Sequence, residues 1–139
     1  MSVNELLSRY QKGERNFKGV NLIGGYLTEV NLSGINLKGA SLSEVDFRRA
    51  NLVGADLTEA SLVRANLTGA NLTGATLNGA NLFEAKLTGA ILDKADLKMA
   101  DLMDADFTAA NLQGANIYGA YLMGSLWQGA IMPDGKMYK

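Results

Sequence analysis

The sequence predicts an all-β solenoid, a chain that coils on itself in short extended pieces joined by turns. Three observations predict it. A large apolar residue recurs at every fifth position from Phe17 to Met132, with no insertion or deletion. A small residue, most often Ala, stands two positions before most of these centres, with Asn, Asp or Ser usually between them, although Val20, Gly25, Val30, Ile35 and Val45 fill the small slot in the first coils. Gly stands two positions after the centre in about half of the units; Ala65 to Leu82, ANLTGANLTGATLNGANL, shows the unit in its plainest form.

A period of five suits neither standard element. On a helix of 3.6 residues per turn such a stripe drifts around the axis, and each interior Gly costs roughly 1 kcal/mol. On a continuous strand it changes face at every unit. A short extended piece followed by a turn resolves both difficulties. The small residue and the centre, two apart, then point inward, and the Asn or Asp between them points out. The two residues after the centre form a corner, where Gly permits the positive φ of a type II turn. A chain that turns the same way every five residues must coil, but the period leaves open how many units close one coil.

The tandem motif A(N/D)LxG closely resembles the pentapeptide-repeat family, over Phe17 to Met132. The opening ELLSRYQKGERNFKG and the closing AIMPDG resemble the ends of cyanobacterial members. The resemblance implies a right-handed quadrilateral β-helix with four units per coil and about six coils. At a β-like spacing of about 4.8 Å per coil, such a rod is on the order of 28 Å long.

Three segments are expected: residues 1–15 as an N-terminal helical cap, 16–132 as the β-helix, and 133–139 as a C-terminal turn and tail. In the first, Ser2 and Glu5 have capping-box spacing, and Val3, Leu6, Leu7 and Tyr10 have helical spacing. A short helix over roughly Asn4 to Lys12 is expected to lie across the first coil, with Gly13 as its stop. A solenoid needs such a cap, because its first coil otherwise exposes apolar centres and unpaired backbone. Docking of a partner is the other use of such a helix. Pro133, Asp134 and Gly135 break the register as a turn.

Composition narrows the function. The 139 residues suit one domain and carry a net charge of -1, so long-range attraction to nucleic acid or anionic lipid is not expected. No apolar run approaches the ~20 residues of a membrane span. The start MSVNELLSRYQKGER lacks the basic and apolar stretches of a signal peptide, so a cytoplasmic location is expected. There is no Cys and no His, which removes thiolate chemistry, disulfides, the commonest general base and the commonest transition-metal ligand. No catalytic, cofactor-binding or metal-binding residue is assigned. Asp96, Asp101 and Asp106 fill one slot in three successive units, and a four-sided coil sends them to different faces. A Thr column including Thr68, Thr88 and Thr108 is interrupted by Arg48 and Gln128.

A non-enzymatic interaction module is therefore expected, with a protein partner and no direct binding of nucleic acid or membrane. Two surfaces are candidates. The outward slot after the centre runs Val63, Phe83, Met103, Met123 in residues twenty apart, with Tyr121 beside it, and forms an apolar stripe. Leu126, Trp127 and Ile131 gather at the C-terminal end, as a lid on the last coil or as a dimer contact. A homodimer through either surface is one expectation. The alternative function, drawn from the resemblance, is a DNA-mimic modulator of DNA gyrase. That activity needs an acidic track, which Arg48, Arg49, Arg64, Lys86, Lys94 and Lys98 interrupt here.

Overall fold

The computed structural model describes the whole chain, Met1–Lys139. One helix, α1 (Val3–Gln11), precedes the repeat. It begins and ends one residue earlier than the apolar spacing suggests. Ser2 is its N-cap, and its hydroxyl accepts the Glu5 N–H at 3.1 Å, satisfying one of the donors that a first turn leaves free. Gly13 follows with φ +100, a backbone region that Gly enters without penalty.

From Asn16 onward the chain forms a ladder of parallel bridges between residues twenty apart, from Asn16–Asn36 to Asn111–Ile131. One turn of the chain therefore takes four five-residue units. Each unit repeats the same backbone bonds. The N–H of centre Leu67 donates to Lys86 O on the next coil at 2.7 Å, and the Lys86 N–H donates back to Ala65 O at 2.9 Å. The Ala70 N–H closes the corner onto Leu67 O at 3.0 Å. The third residue of that corner has φ near +70 in Gly69, as a type II turn requires. Ten non-Gly residues accept the same conformation, among them Glu29, Arg64, Met99 and Ala109.

The Asn and Asp of the repeat have a local task. The side-chain oxygen of Asn51 accepts the Val53 N–H, and that of Asp56 accepts the Thr58 N–H, both at 3.0 Å. This bond satisfies the one corner N–H that the ladder leaves over, which is why short side-chain acceptors recur at the slot.

Centres and small residues together fill the interior. Every centre from Phe17 to Leu112 is buried, as are the Ala residues two positions before the centres, from Ala40 to Ala115. At the N-terminal end α1 closes the stack: Leu6 is fully buried, and the Tyr10 hydroxyl donates to Ser33 O at 2.7 Å. Gly25 permits this approach, since a Cβ there would lie 2.9 Å from Val3 Cγ2. The C-terminal end is closed on one side only. The chain turns at Pro133, and Met137 pairs antiparallel with Ile131. Among the last centres Trp127 is buried, but Ile117 and Met132 are only half-buried and Leu122 is 38% exposed, because no coil lies beyond them.

Candidate interaction surface

The apolar stripe is continuous. The carbonyls of Val63, Phe83, Met103 and Met123 accept the N–H groups of Glu44, Arg64, Glu84 and Asp104, so each member sits one coil beyond the last. Val63, Phe83 and Met103 are nevertheless half-buried, because neighbouring coils cover their flanks. Met123, in the last coil, is 79% exposed, and Tyr121 beside it 58%. The stripe thus opens toward the C-terminal end.

The C-terminal candidates divide. Trp127 is buried and stacks on Phe107, with its indole N–H donated to Ser125 Oγ at 2.7 Å. Ile131 is half-buried under the returning tail. Leu126 stands exposed, close to Tyr118, Tyr121 and Leu122 in sequence. Tyr121, Leu126 and Ile131 occupy the slot that in most other units holds Asn, Asp or Ser, so the last three units replace the corner acceptor with apolar groups.

The spacing of centres did not single out Leu122 as a surface residue. A signal for it was present: from Phe107 to Pro133 there is no Asp, Glu, Lys or Arg, in a chain with 13 basic and 14 acidic residues. Charge keeps the rest of the rod hydrated, and the final coil does without it.

Elsewhere the polar groups are engaged locally. Asp96, Asp101 and Asp106 each hold a corner N–H, of Lys98, Met103 and Thr108, at 2.9–3.0 Å. No cluster of three or more acidic side chains is close enough to share a metal ion. Arg48 grips Asp46 with two nitrogens, and ion pairs link Arg49 with Glu29 and Arg64 with Glu84 on adjacent coils. Asp46 is held below the usual carboxylate range, chiefly by the Arg48 guanidinium bond. An open cleft of about 370 Å³ lies between α1 and the first coil, lined by Leu7, Tyr10, Gln11, Arg15, Val30 and Asn31. Its one charged group, Arg15, lies 3.7 Å above the Tyr10 ring and donates to Tyr10 O. No helix is long and apolar enough to cross a membrane.

This architecture is matched by known proteins. The pentapeptide repeats family model matches residues 16–52, 50–89 and 90–126, with eight copies. A pentapeptide repeat protein, Rfr23, from the cyanobacterium Cyanothece 51142 is 27% identical; the match covers 90% of this chain and 99% of that one, with a TM-score of 0.84. HetL, a pentapeptide repeat protein involved in heterocyst differentiation regulation in the cyanobacterium Nostoc sp. strain PCC 7120, is 29% identical over 99% of this chain and 100% of its own, with a TM-score of 0.41. A trypsin-treated form of QnrB1, a plasmid-mediated fluoroquinolone resistance protein, is 21% identical over 84% of this chain and 72% of its own, with a TM-score of 0.56. No curated protein matches the chain. The structural neighbours imply a right-handed β-helix for the ladder described above. With its repeat matched from residue 16 to residue 126, the chain belongs to the pentapeptide repeat family.

Proposed function

We propose that the protein is a non-enzymatic interaction module: a quadrilateral rod of about six coils that binds another protein through its C-terminal coil and the adjoining end of the apolar stripe. One observation carries this reading. Of twelve exposed large apolar residues, seven lie in the last coil and tail: Tyr118, Tyr121, Leu122, Met123, Leu126, Met137 and Tyr138. Scattered exposed apolar groups are ordinary, whereas a concentration of them at one end of an otherwise polar rod favours an interface. Met123 adds a side chain that adapts its shape to a partner. The likeness to Rfr23 supports a cyanobacterial source.

The test is affinity capture from a cyanobacterial lysate with the wild-type protein and with Met123→Ser/Leu126→Ser. A partner retained by the first and lost by the second supports the reading. Identical capture by both would refute it. Modulation of gyrase by duplex mimicry remains the alternative, and it asks for an uninterrupted acidic track. Here Glu29, Asp46, Glu84 and Asp96 are each paired with a base, and the likeness to QnrB1 is one of fold. Gyrase supercoiling at increasing protein concentration separates the two readings.

A further inference from the structure

We infer that the cleft between α1 and the first coil binds a carboxylate carried on a short apolar chain, whether a free acid or the C-terminal residue of a polypeptide. The cleft lies at the opposite end of the rod from the apolar C-terminal coil, and the two surfaces are independent.

Arg15 supplies the charge, and it is held in place before any ligand arrives. Its Nη1 donates to Tyr10 O and to Glu14 O, both at 2.9 Å, and its guanidinium lies 3.7 Å from the centroid of the Tyr10 ring. Tyr10 is itself buried and anchored to Ser33 O through its hydroxyl. Nη1 alone therefore pins the end of α1 to the coil, while Nε and Nη2 bond to nothing in the chain. Those two nitrogens form the flat edge on which a guanidinium takes a carboxylate with two parallel bonds. No acid competes for it: Arg15 belongs to no ion pair, Glu14 is paired with Arg9, and no Asp or Glu lines the cleft.

The first coil adds a backbone donor. One coil below, the Asn51 N–H donates upward to Val30 O, and Asn51 O accepts the Leu32 N–H, both at 2.8 Å. Asn31 fills the same slot in the first coil and bridges in parallel to Asn51. Its N–H and carbonyl therefore point the same way, out of the end of the rod toward α1, and neither has a partner in the chain. Its side-chain oxygen is spent on the Ser33 N–H at 3.2 Å. The Gln11 amide, across the cleft on α1, makes no bond. Each carboxylate oxygen accepts two hydrogen bonds, so one carboxylate can take the Arg15 edge and the Asn31 N–H together.

The rest of the lining and the local charge set the class of ligand. Leu7, Val30 and the Tyr10 ring form an apolar wall, which suits a hydrocarbon tail. A volume of about 370 Å³ is at the small end of ligand sites, which run from roughly 300 to 1,000 Å³. A phosphate dianion asks for more positive charge than one guanidinium supplies beside such a wall. A monocarboxylate matches it in charge and in planar shape. Residues 9–18 carry four basic side chains and one acidic, in a chain whose net charge is -1, so this end of the rod attracts an anion that the whole chain does not.

Nitrogen–proton NMR correlation spectra of the full chain test the site, with sodium octanoate as the free acid and N-acetyl-dileucine as the peptide terminus. Octanamide and the C-terminal amide of the dipeptide are the neutral controls. Saturable movement of the Asn31 amide and the Arg15 Nε–H signals is expected with at least one of the acids and not with the controls. The acid that binds more tightly identifies the source. Gln11→Glu, at an exposed position, sets a carboxylate beside Arg15 and is expected to weaken binding at least about tenfold with the melting transition kept. Arg15→Ala should abolish binding; if that variant does not fold, Gln11→Glu decides. No saturable shift by about 5 mM of either acid, equal shifts with the neutral amides, or unchanged affinity in Gln11→Glu would overturn the inference. Shifts confined to Met123, Leu126 and their neighbours would overturn it as well, since they would place the hydrocarbon on the C-terminal coil.

Discussion

The indole of Trp127 lies flat on the ring of Phe107 one coil below, with centroids 4.4 Å apart and planes within 3° of parallel. The two end a column of centres twenty apart, Leu27, Phe47, Leu67, Leu87, Phe107 and Trp127, whose first five members are fully buried. Trp127 thus plugs one side of the last coil. It is the sole Trp, so its fluorescence reports on that coil alone. Emission is expected blue-shifted in the folded protein and to move with the global unfolding transition. Trp127→Ala should cost about 3–5 kcal/mol and Phe107→Leu about 1–3 kcal/mol, read by urea titration. A Phe107→Leu variant indistinguishable from wild type would show that the stack contributes nothing.

Leu67 tests the interior farther from either end. It is fully buried among identical neighbours. Leu67→Asp puts a carboxylate where no partner or water can reach it, at a cost of several kcal/mol. No soluble, cooperatively melting protein is expected, whereas Leu67→Ala should fold with a loss of about 2–5 kcal/mol. Circular dichroism melts of both variants check this.

Much of this fold was legible because each unit states its own geometry and repeats it. The centres, the small residues and the corner Gly need only local spacing to be read, and Ser2 with Glu5 marks the start of α1. The C-terminal end was less legible. Leu122 has the spacing of a core residue and becomes surface only because the chain turns back at Pro133 and covers a different edge. Val63, Phe83 and Met103 occupy an outward slot, yet stacking half-buries them, since a slot's exposure depends on the width of its neighbours. Glu44 and Glu84 both stand twenty residues from Arg64, and only the side-chain geometry shows that Arg64 pairs with Glu84.

Corner conformation gives a test of opposite sign. Ala109 adopts φ +61, a region where a Cβ costs roughly 1–2 kcal/mol. Its side chain makes no compensating polar bond. Ala109→Gly is expected to stabilise the protein by about 0.5–1 kcal/mol, after the greater flexibility of Gly in the unfolded chain is subtracted. Gly69→Ala should do the reverse, since its Cβ would also meet Arg49 Cγ at 3.2 Å. Paired denaturation curves decide the signs, and a destabilised Ala109→Gly would refute the argument.

Glu44, Arg64, Glu84 and Asp104 take the same corner position in successive coils, and Arg64 Nη1 lies 3.4 Å from Glu84 Oε1. Arg64→Glu converts the column to four acids. Exposed pairs of this kind are worth about 0.2–1 kcal/mol each, and salt screens them. A modest loss of stability is expected at low ionic strength, shrinking in 1 M NaCl. A loss of equal size in both conditions would mean that packing, not charge, is responsible.

Asp46 and Arg48 give the pH test. Arg48 Nε lies 3.0 Å from one carboxylate oxygen of Asp46, and Arg48 Nη2 lies 2.8 Å from the other, while the Arg48 N–H also donates to Oδ1 at 3.1 Å. The side-chain bond is the largest influence on Asp46 and lowers its pKa; burial opposes it, and the charges of Arg48 and Arg49 add to it. A lowered folded pKa means that the unfolded chain binds the proton first as pH falls. The pair therefore stabilises the fold at every pH above the unfolded Asp value of about 3.9, and that contribution disappears as pH drops through the folded value. Arg48→Ala is expected to be less stable than wild type at pH 7 and to converge with it in acid. The Asp46 carboxyl, followed by carbon-detected NMR, should titrate at a higher pH in the variant than in wild type. Parallel stability profiles for the two proteins from pH 7 down to pH 2 would show that Arg48 acts through packing alone.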